Sequence, residues 1–137
     1  MDERGLPRIA FDNIHVGDEF GPVEYVVTEE NFDRFRKAVG NPKANYPTVS
    51  KRHAATLLET RYAYGGGINA GHECEYYNPP IPGKKIIVTG KVVDKYIKRD
   101  KPYLVFEAKA VDEDGRLLEI IRLTRMNDPR EVTKKWQ

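Results

Sequence analysis

From Lys84 to Met126 apolar and polar residues alternate through three long segments, which commits the second half of the chain to an antiparallel sheet. In the first segment, Lys84–Lys98, Ile86, Val88, Val92 and Tyr96 fall on one side. Ile87, Thr89, Lys91, Val93, Lys95 and Ile97 fall on the other. The tight link Arg99-Asp100-Lys101-Pro102 leads to Tyr103–Val111, and Asp114-Gly115, a strong hairpin pair, leads to Leu117–Met126. A further strand, Ile68–Tyr77, precedes them and is closed by Asn78-Pro79-Pro80-Ile81-Pro82-Gly83.

The first half differs. Residues 1–18 are irregular, with Phe11, Ile14 and Val16 as candidate anchors to the body. Phe20–Val27 reads as a strand, and Pro22 places it at a sheet edge or starts it later. Thr28 is a helix N-cap, followed by Glu29 and Glu30 in the first turn, where the helix dipole favours carboxylates. Phe32, Phe35, Ala38 and Val39 give the 29–39 helix one apolar face, and Gly40 stops it. Ser50 is the next N-cap, opening a helix from Lys51 to about Tyr64 that Gly65-Gly66-Gly67 ends. Strand, helix, loop, helix and four long strands make an α+β chain, an antiparallel sheet with one principal helix on one face.

The chain has 137 residues, the size of one domain, and needs no disulfide staple to bury a core. We read residues 1–137 as a single domain with its core at about 11–126 and a polar tail at 127–137, where Trp136 can dock on the body or a partner. The single Cys74 excludes an internal disulfide and fits a reducing cytoplasm. With 23 basic and 21 acidic residues the net charge is +2, too balanced for a nucleic-acid partner. No window approaches the ~20 apolar residues of a membrane span, so a soluble cytoplasmic protein is expected.

Two motifs carry a family likeness. The first is Val39-Gly40-Asn41-Pro42-Lys43-Ala44-Asn45-Tyr46; the second is Gly71-His72-Glu73-Cys74-Glu75-Tyr76-Tyr77-Asn78-Pro79-Pro80-Ile81-Pro82-Gly83-Lys84. With the entry Phe11–Phe20, they resemble the MaoC-like hydratase/dehydratase family, whose members are hotdog folds acting on acyl-CoA thioesters. The likeness extends over most of residues 11–126 and is nearest to the non-catalytic, N-terminal-type domains of two-part dehydratases. The family's loop reads Gly-Asp-x-Asn-Pro-x-His, with Tyr replacing His in non-catalytic domains. Here Gly40 matches, Asn41 stands at the Asp, Lys43 at the Asn, Ala44 at the Pro and Tyr46 at the His. In the second motif Lys84 replaces the usual Asp.

Hydration of an enoyl thioester needs a group to activate water and a donor for the α-carbon, tasks that the family's Asp and His share. Asn41 does not titrate in the useful range, and a tyrosine such as Tyr46 has a reference pKa of about 10. Losing both removes a general acid/base factor of roughly 10²–10⁴. Whether the chain is itself an enzyme is therefore left open by its own motif.

The resemblance marks Asn41, Tyr46 and His72 as the catalytic positions. It places Gly40, Asn45, Tyr46, Gly71, Arg99 and Lys101 at the substrate. His15, His53 and His72 each have a structural and a chemical reading, and their spacing matches no metal site. Glu73 and Glu75 share one strand face. Glu59 is the helix carboxylate able to serve a thioesterase, or simply to pair with Arg61 or Lys51 on the surface. The basic group Lys95, Lys98, Arg99 and Lys101 fits either CoA phosphates or a solvated hairpin tip.

The leading expectation is a non-catalytic subunit that binds an acyl-CoA thioester. It would act in a heterodimer or heterotetramer with a catalytic hotdog subunit. The alternatives are a homodimeric hydratase or thioesterase with a rearranged site built on Glu59 or His72, and a non-enzymatic binding module for an acyl-CoA or hydrophobic acid. No cofactor or metal is expected.

Overall fold

The structure, a computed structural model, describes residues 4–43, 52–63 and 67–127. Its elements are β1 (Glu19–Val26), α1 (Glu29–Val39), α2 (His53–Glu59), β2 (Ile68–Tyr76), β3 (Lys85–Lys98), β4 (Lys101–Asp112) and β5 (Leu117–Met126). The five strands form one antiparallel sheet in the order β1-β3-β4-β5-β2. Among the described residues no helix is long and apolar enough to cross a membrane.

Local chemistry accounts for α1. The Thr28 hydroxyl accepts from the Asn31 amide while the Asn31 side chain accepts from the Thr28 amide, closing both ends of a capping box. At the other end Gly40 takes a left-handed conformation (φ 70°), and its N–H reaches back to the last turn.

The second helix departs from expectation. It runs only from His53 to Glu59, and the proposed cap Ser50 lies outside the described residues. Its N-cap is Arg52, at φ 50°, with no side-chain cap bond. The glycine run does not end it. The Thr60 and Arg61 amides close tight i→i+3 bonds onto Leu57 and Leu58, and Ala63 N then donates to Pro7 O at 2.8 Å. The bridge between Arg8 and Ala63 draws the chain away from the helix axis.

Helix α2 packs across β1, β3, β4 and β5. Close approach needs a small residue below it: a Cβ on Gly90 would stand 2.8 Å from Leu57 and 2.7 Å from Phe106. Leu57, Leu58, Ile86, Val88, Val92, Leu104, Phe106 and Leu118 form the fully buried centre.

β1 is an edge strand, and its register shifts between Phe20 and Val23, where Pro22 sits without disturbing a continuous ladder. In β3 a second shift, between Val92 and Asp94, reverses the alternation. Lys95, assigned by simple parity to the side opposite Val92, instead pairs with Leu104 as Val92 pairs with Phe106. Its ammonium donates to the carbonyls of Phe11 and Ile14 at 2.7 and 3.1 Å and lies 4.4 Å from the Phe11 ring centre. Lys95 thus ties the entry segment to the sheet. Of the expected anchors, Ile14 is fully buried and Phe11 half-buried, but Val16 is exposed; Ile9 takes the second buried place.

On the outer face charges alternate in register across all five strands: Glu19 opposite Lys91, Lys91 opposite Glu107, Glu107 opposite Arg122, Arg122 opposite Glu73. Opposite charges on facing residues favour this register.

Candidate functional site

Three side chains from three elements meet where the start of α2 crosses the sheet. Tyr25 comes from β1, His53 opens α2, and Glu119 lies on the helix-covered face of β5. Tyr25 Oη is 2.7 Å from His53 Nε2, and His53 Nδ1 is 2.8 Å from Glu119 Oε1. His53 is 3% exposed and Glu119 0%. The His53–Glu119 approach is close in distance but out of hydrogen-bond alignment, and neither Glu119 oxygen has an aligned partner among the described residues. A buried carboxylate held so loosely is costly to the fold, which makes it a candidate for chemistry rather than for packing.

The sequence explains why they meet. Residues 53–58 put His53, Ala54, Leu57 and Leu58 on the buried side of a helix, so the histidine is carried inward with them. On β5 the alternation brings Glu119, Ile121, Leu123 and Arg125 to the covered face, all buried.

His53 separates two cavities. One, of about 270 Å³, has an apolar wall of Val23, Val26, Leu57 and Val88 and polar lining from Tyr25, His53 and Thr56. The other, of about 180 Å³, brings Arg52, His53, Asn69 and His72 together against Ala54, Ala55, Ile121 and Leu123. Beside Glu119, on β2, lie Cys74 and Tyr76. Burial raises the Cys74 thiol above its ordinary range, and its hydrogen bond with Cys74 pushes Tyr76 up to about 12.

The residues singled out from sequence are dispersed. Asn41 is exposed at the end of α1; its N–H donates to Arg36 O at 3.1 Å and its Oδ1 accepts from Lys43 N at 2.9 Å. Gly40 is the helix cap described above. Asn45 and Tyr46 lie outside the described residues. His72 shares the smaller cavity with His53, and Gly71 faces Thr124 at a register shift between β2 and β5. Arg99 and Lys101 sit at the β3–β4 turn, where Arg99 and Asp100 both have positive φ; neither lines any of the cavities described above.

Glu59 pairs with Arg52, at 3.6 Å; of the expected partners, Lys51 lies outside the described residues. Arg61 is engaged elsewhere, 3.7 Å over the Phe20 ring and donating to Glu19 O. Glu73 and Glu75 turn to the outer face, away from both cavities. Among the described residues no three His, Cys, Asp or Glu side chains converge on a metal position. Sequence reading passed over Tyr25 and Glu119. The available signal for Glu119 was a lone carboxylate at an inward position of an apolar strand.

No family model matches the sequence, and no curated protein matches it. Solved structures do. A MaoC-like dehydratase from Rhodospirillum rubrum superposes with a TM-score of 0.64 at 16% identity, covering 86% of this chain and 97% of that one. This chain has a hotdog fold. The (R)-hydratase PhaJ1 from Pseudomonas aeruginosa gives 0.66 at 13% identity over 90% of this chain and 88% of the other. A chain of the C-terminally truncated HadBC complex, a (3R)-hydroxyacyl-ACP dehydratase from Mycobacterium tuberculosis, gives 0.64 at 16% identity over 82% and 96%. Within this hotdog fold, α2 is the helix that the sheet covers, and both cavities lie along it.

Proposed function

We propose that this protein is the acyl-thioester-binding subunit of a hotdog hydratase or dehydratase, whose motif loop contributes no acid–base pair. The acyl chain occupies the apolar cavity between β1 and α2. The observation that carries the reading is the state of Asn41: an amide stands at the position of the family's carboxylate, and its oxygen is committed to the Lys43 N–H. A second hotdog subunit brings the missing Asp and His. The HadBC structure, described as a complex, supports a paired arrangement. So does the edge strand β2, which offers unpaired backbone groups and exposes Ile68 and Tyr76. Gly40, Asn45, Tyr46 and Gly71 stay assigned to the approach of the thioester, and Arg99 and Lys101 to the phosphates of a CoA carrier. The lone thiol fits a reducing cytoplasm.

The test has two parts. Titration calorimetry with butyryl-CoA and octanoyl-CoA should give saturable binding, and Arg99→Ala with Lys101→Ala should weaken it by about 1.5–3 kcal/mol, the scale of charged hydrogen bonds. Affinity capture from the source cells should recover a second hotdog chain carrying the Gly-Asp-x-Asn-Pro-x-His loop. Recovery of this chain alone, under several growth conditions, would count against the partnership.

A further inference from the structure

Where α2 begins, Tyr25, His53 and Glu119 form a continuous series of ionisable side chains. Two contacts of 2.7 and 2.8 Å link a phenol, an imidazole and a carboxylate from β1, α2 and β5. With the ring proton placed on Nδ1, toward the nearby carboxylate, the imidazole keeps one acceptor. That leaves Nε2 to accept from the Tyr25 hydroxyl. Tyr25 and His53 face the apolar cavity, and Glu119 stands behind, fully buried. An order of cavity, phenol, imidazole and carboxylate can pass a proton between the cavity and the buried side chains. Packing alone would be served as well by apolar side chains of the same volume, without a loosely held buried carboxylate.

We propose that Tyr25, His53 and Glu119 form a proton-transfer site for α,β-unsaturated acyl thioesters, with Tyr25 as the catalytic group and His53 and Glu119 positioning it. The inference rests on the reading that this cavity takes the acyl chain, and replaces the second subunit's acid–base pair with one that this chain carries itself. In hydration the water oxygen bonds to the β-carbon as its proton passes to Tyr25 Oη, and the Tyr25 proton passes to His53 Nε2. The π electrons move onto the thioester carbonyl. The enolate α-carbon then takes a proton from Tyr25, which recovers one from His53. One water is added, nothing is oxidised, and the reverse sequence is dehydration. The groups that bear on His53 are Tyr25 from β1, Glu119 from β5, and Arg52 and His72 across the smaller cavity. Cys74 and Tyr76 of β2 bear on Glu119.

The experiment uses the purified full chain. Crotonyl-CoA and 2-octenoyl-CoA hydration is followed by loss of the enoyl absorbance, and octanoyl-CoA binding is measured beside it. We expect turnover by the chain alone. Tyr25→Phe, which removes one oxygen, should lower kcat at least about 10²-fold with KM changed only a few-fold. Glu119→Gln should alter the pH dependence of kcat, which a merely structural role would not. Saturable octanoyl-CoA binding without turnover, full activity in Tyr25→Phe, or an unchanged pH profile in a folded Glu119→Gln would each overturn the proton-transfer site and leave the binding reading standing. Absence of octanoyl-CoA binding would remove both. Should Glu119→Gln fail to fold, Tyr25→Phe still decides.

Discussion

His53 and Glu119 lie far apart in the chain, yet the imidazole Nδ1 and a carboxylate oxygen come within 2.8 Å of each other, in a position almost sealed from solvent. Helix α2 delivers one partner and the inward row of β5 the other. The two groups are out of hydrogen-bond alignment, so the dependence of one on the other is electrostatic, through proximity in a buried position.

That dependence is measurable in urea denaturation. Removing one partner of a buried pair leaves the other uncompensated, so Glu119→Ala should lower stability by about 3–5 kcal/mol. The double variant His53→Leu with Glu119→Met replaces both by apolar groups and should recover most of that loss. A double variant as unstable as the single would show that Glu119 is held by something other than His53.

Two glycines should respond in opposite ways. Gly90→Ala places a Cβ 2.7 Å from the Phe106 ring and 2.8 Å from Leu57, and should cost about 1–3 kcal/mol as the α2 contact is forced apart. Gly71→Ala meets only Thr124, at 3.5 Å, and should fold with nearly unchanged stability. Thermal denaturation of both separates a packing glycine from one in an uncrowded position.

Acid stability should depend on Asp112. Its burial pushes the carboxyl upward, but the Arg116 backbone and side chain and the Asp114 N–H more than offset this and hold it below its ordinary value of 3.8. A group depressed in the folded state contributes stability above its unfolded pKa, and that contribution disappears as pH falls through the folded one. Asp112→Asn should therefore be less stable than wild type at neutral pH, and the gap should close below pH 3.8. A constant difference from pH 7 to 2 would contradict the assignment.

Restoring half of the motif should not restore its chemistry. Asn41→Asp keeps the turn, because a carboxylate accepts the same Lys43 N–H, so the variant should fold like wild type. With Tyr46 still at the histidine position its rate of enoyl-CoA hydration should stay within about threefold of wild type, well short of a general-base factor of roughly 10². A gain of that size would make the loop, not the Tyr25–His53–Glu119 chain, the working site.

Much of the fold was legible from neighbours in sequence. Thr28 and Gly40 bound α1 because caps act within a few residues, and Asp114-Gly115 makes its hairpin for the same reason. The long alternations marked β2 to β5 because a strand with one covered face repeats every two residues. The site was much less legible. His72 was chosen and does lie beside α2, but the motif reading gave no reason to join His53 with Glu119 or Tyr25. Lys95 shows the limit of periodicity, since one bulge between Val92 and Asp94 exchanged its faces.

The sequence by itself determined the strands and the capped first helix, because these follow from side-chain type and short-range spacing. Only the tertiary structure decided where α2 ends, which strands become edges and which ionisable groups meet under the helix. Those outcomes depend on contacts between distant segments: the Pro7 carbonyl that draws Ala63 off the helix, and the close approach over Gly90 that seats α2 on the sheet. The burial of Glu119 against His53 follows from that seating, since neither residue carries a local signal of the other.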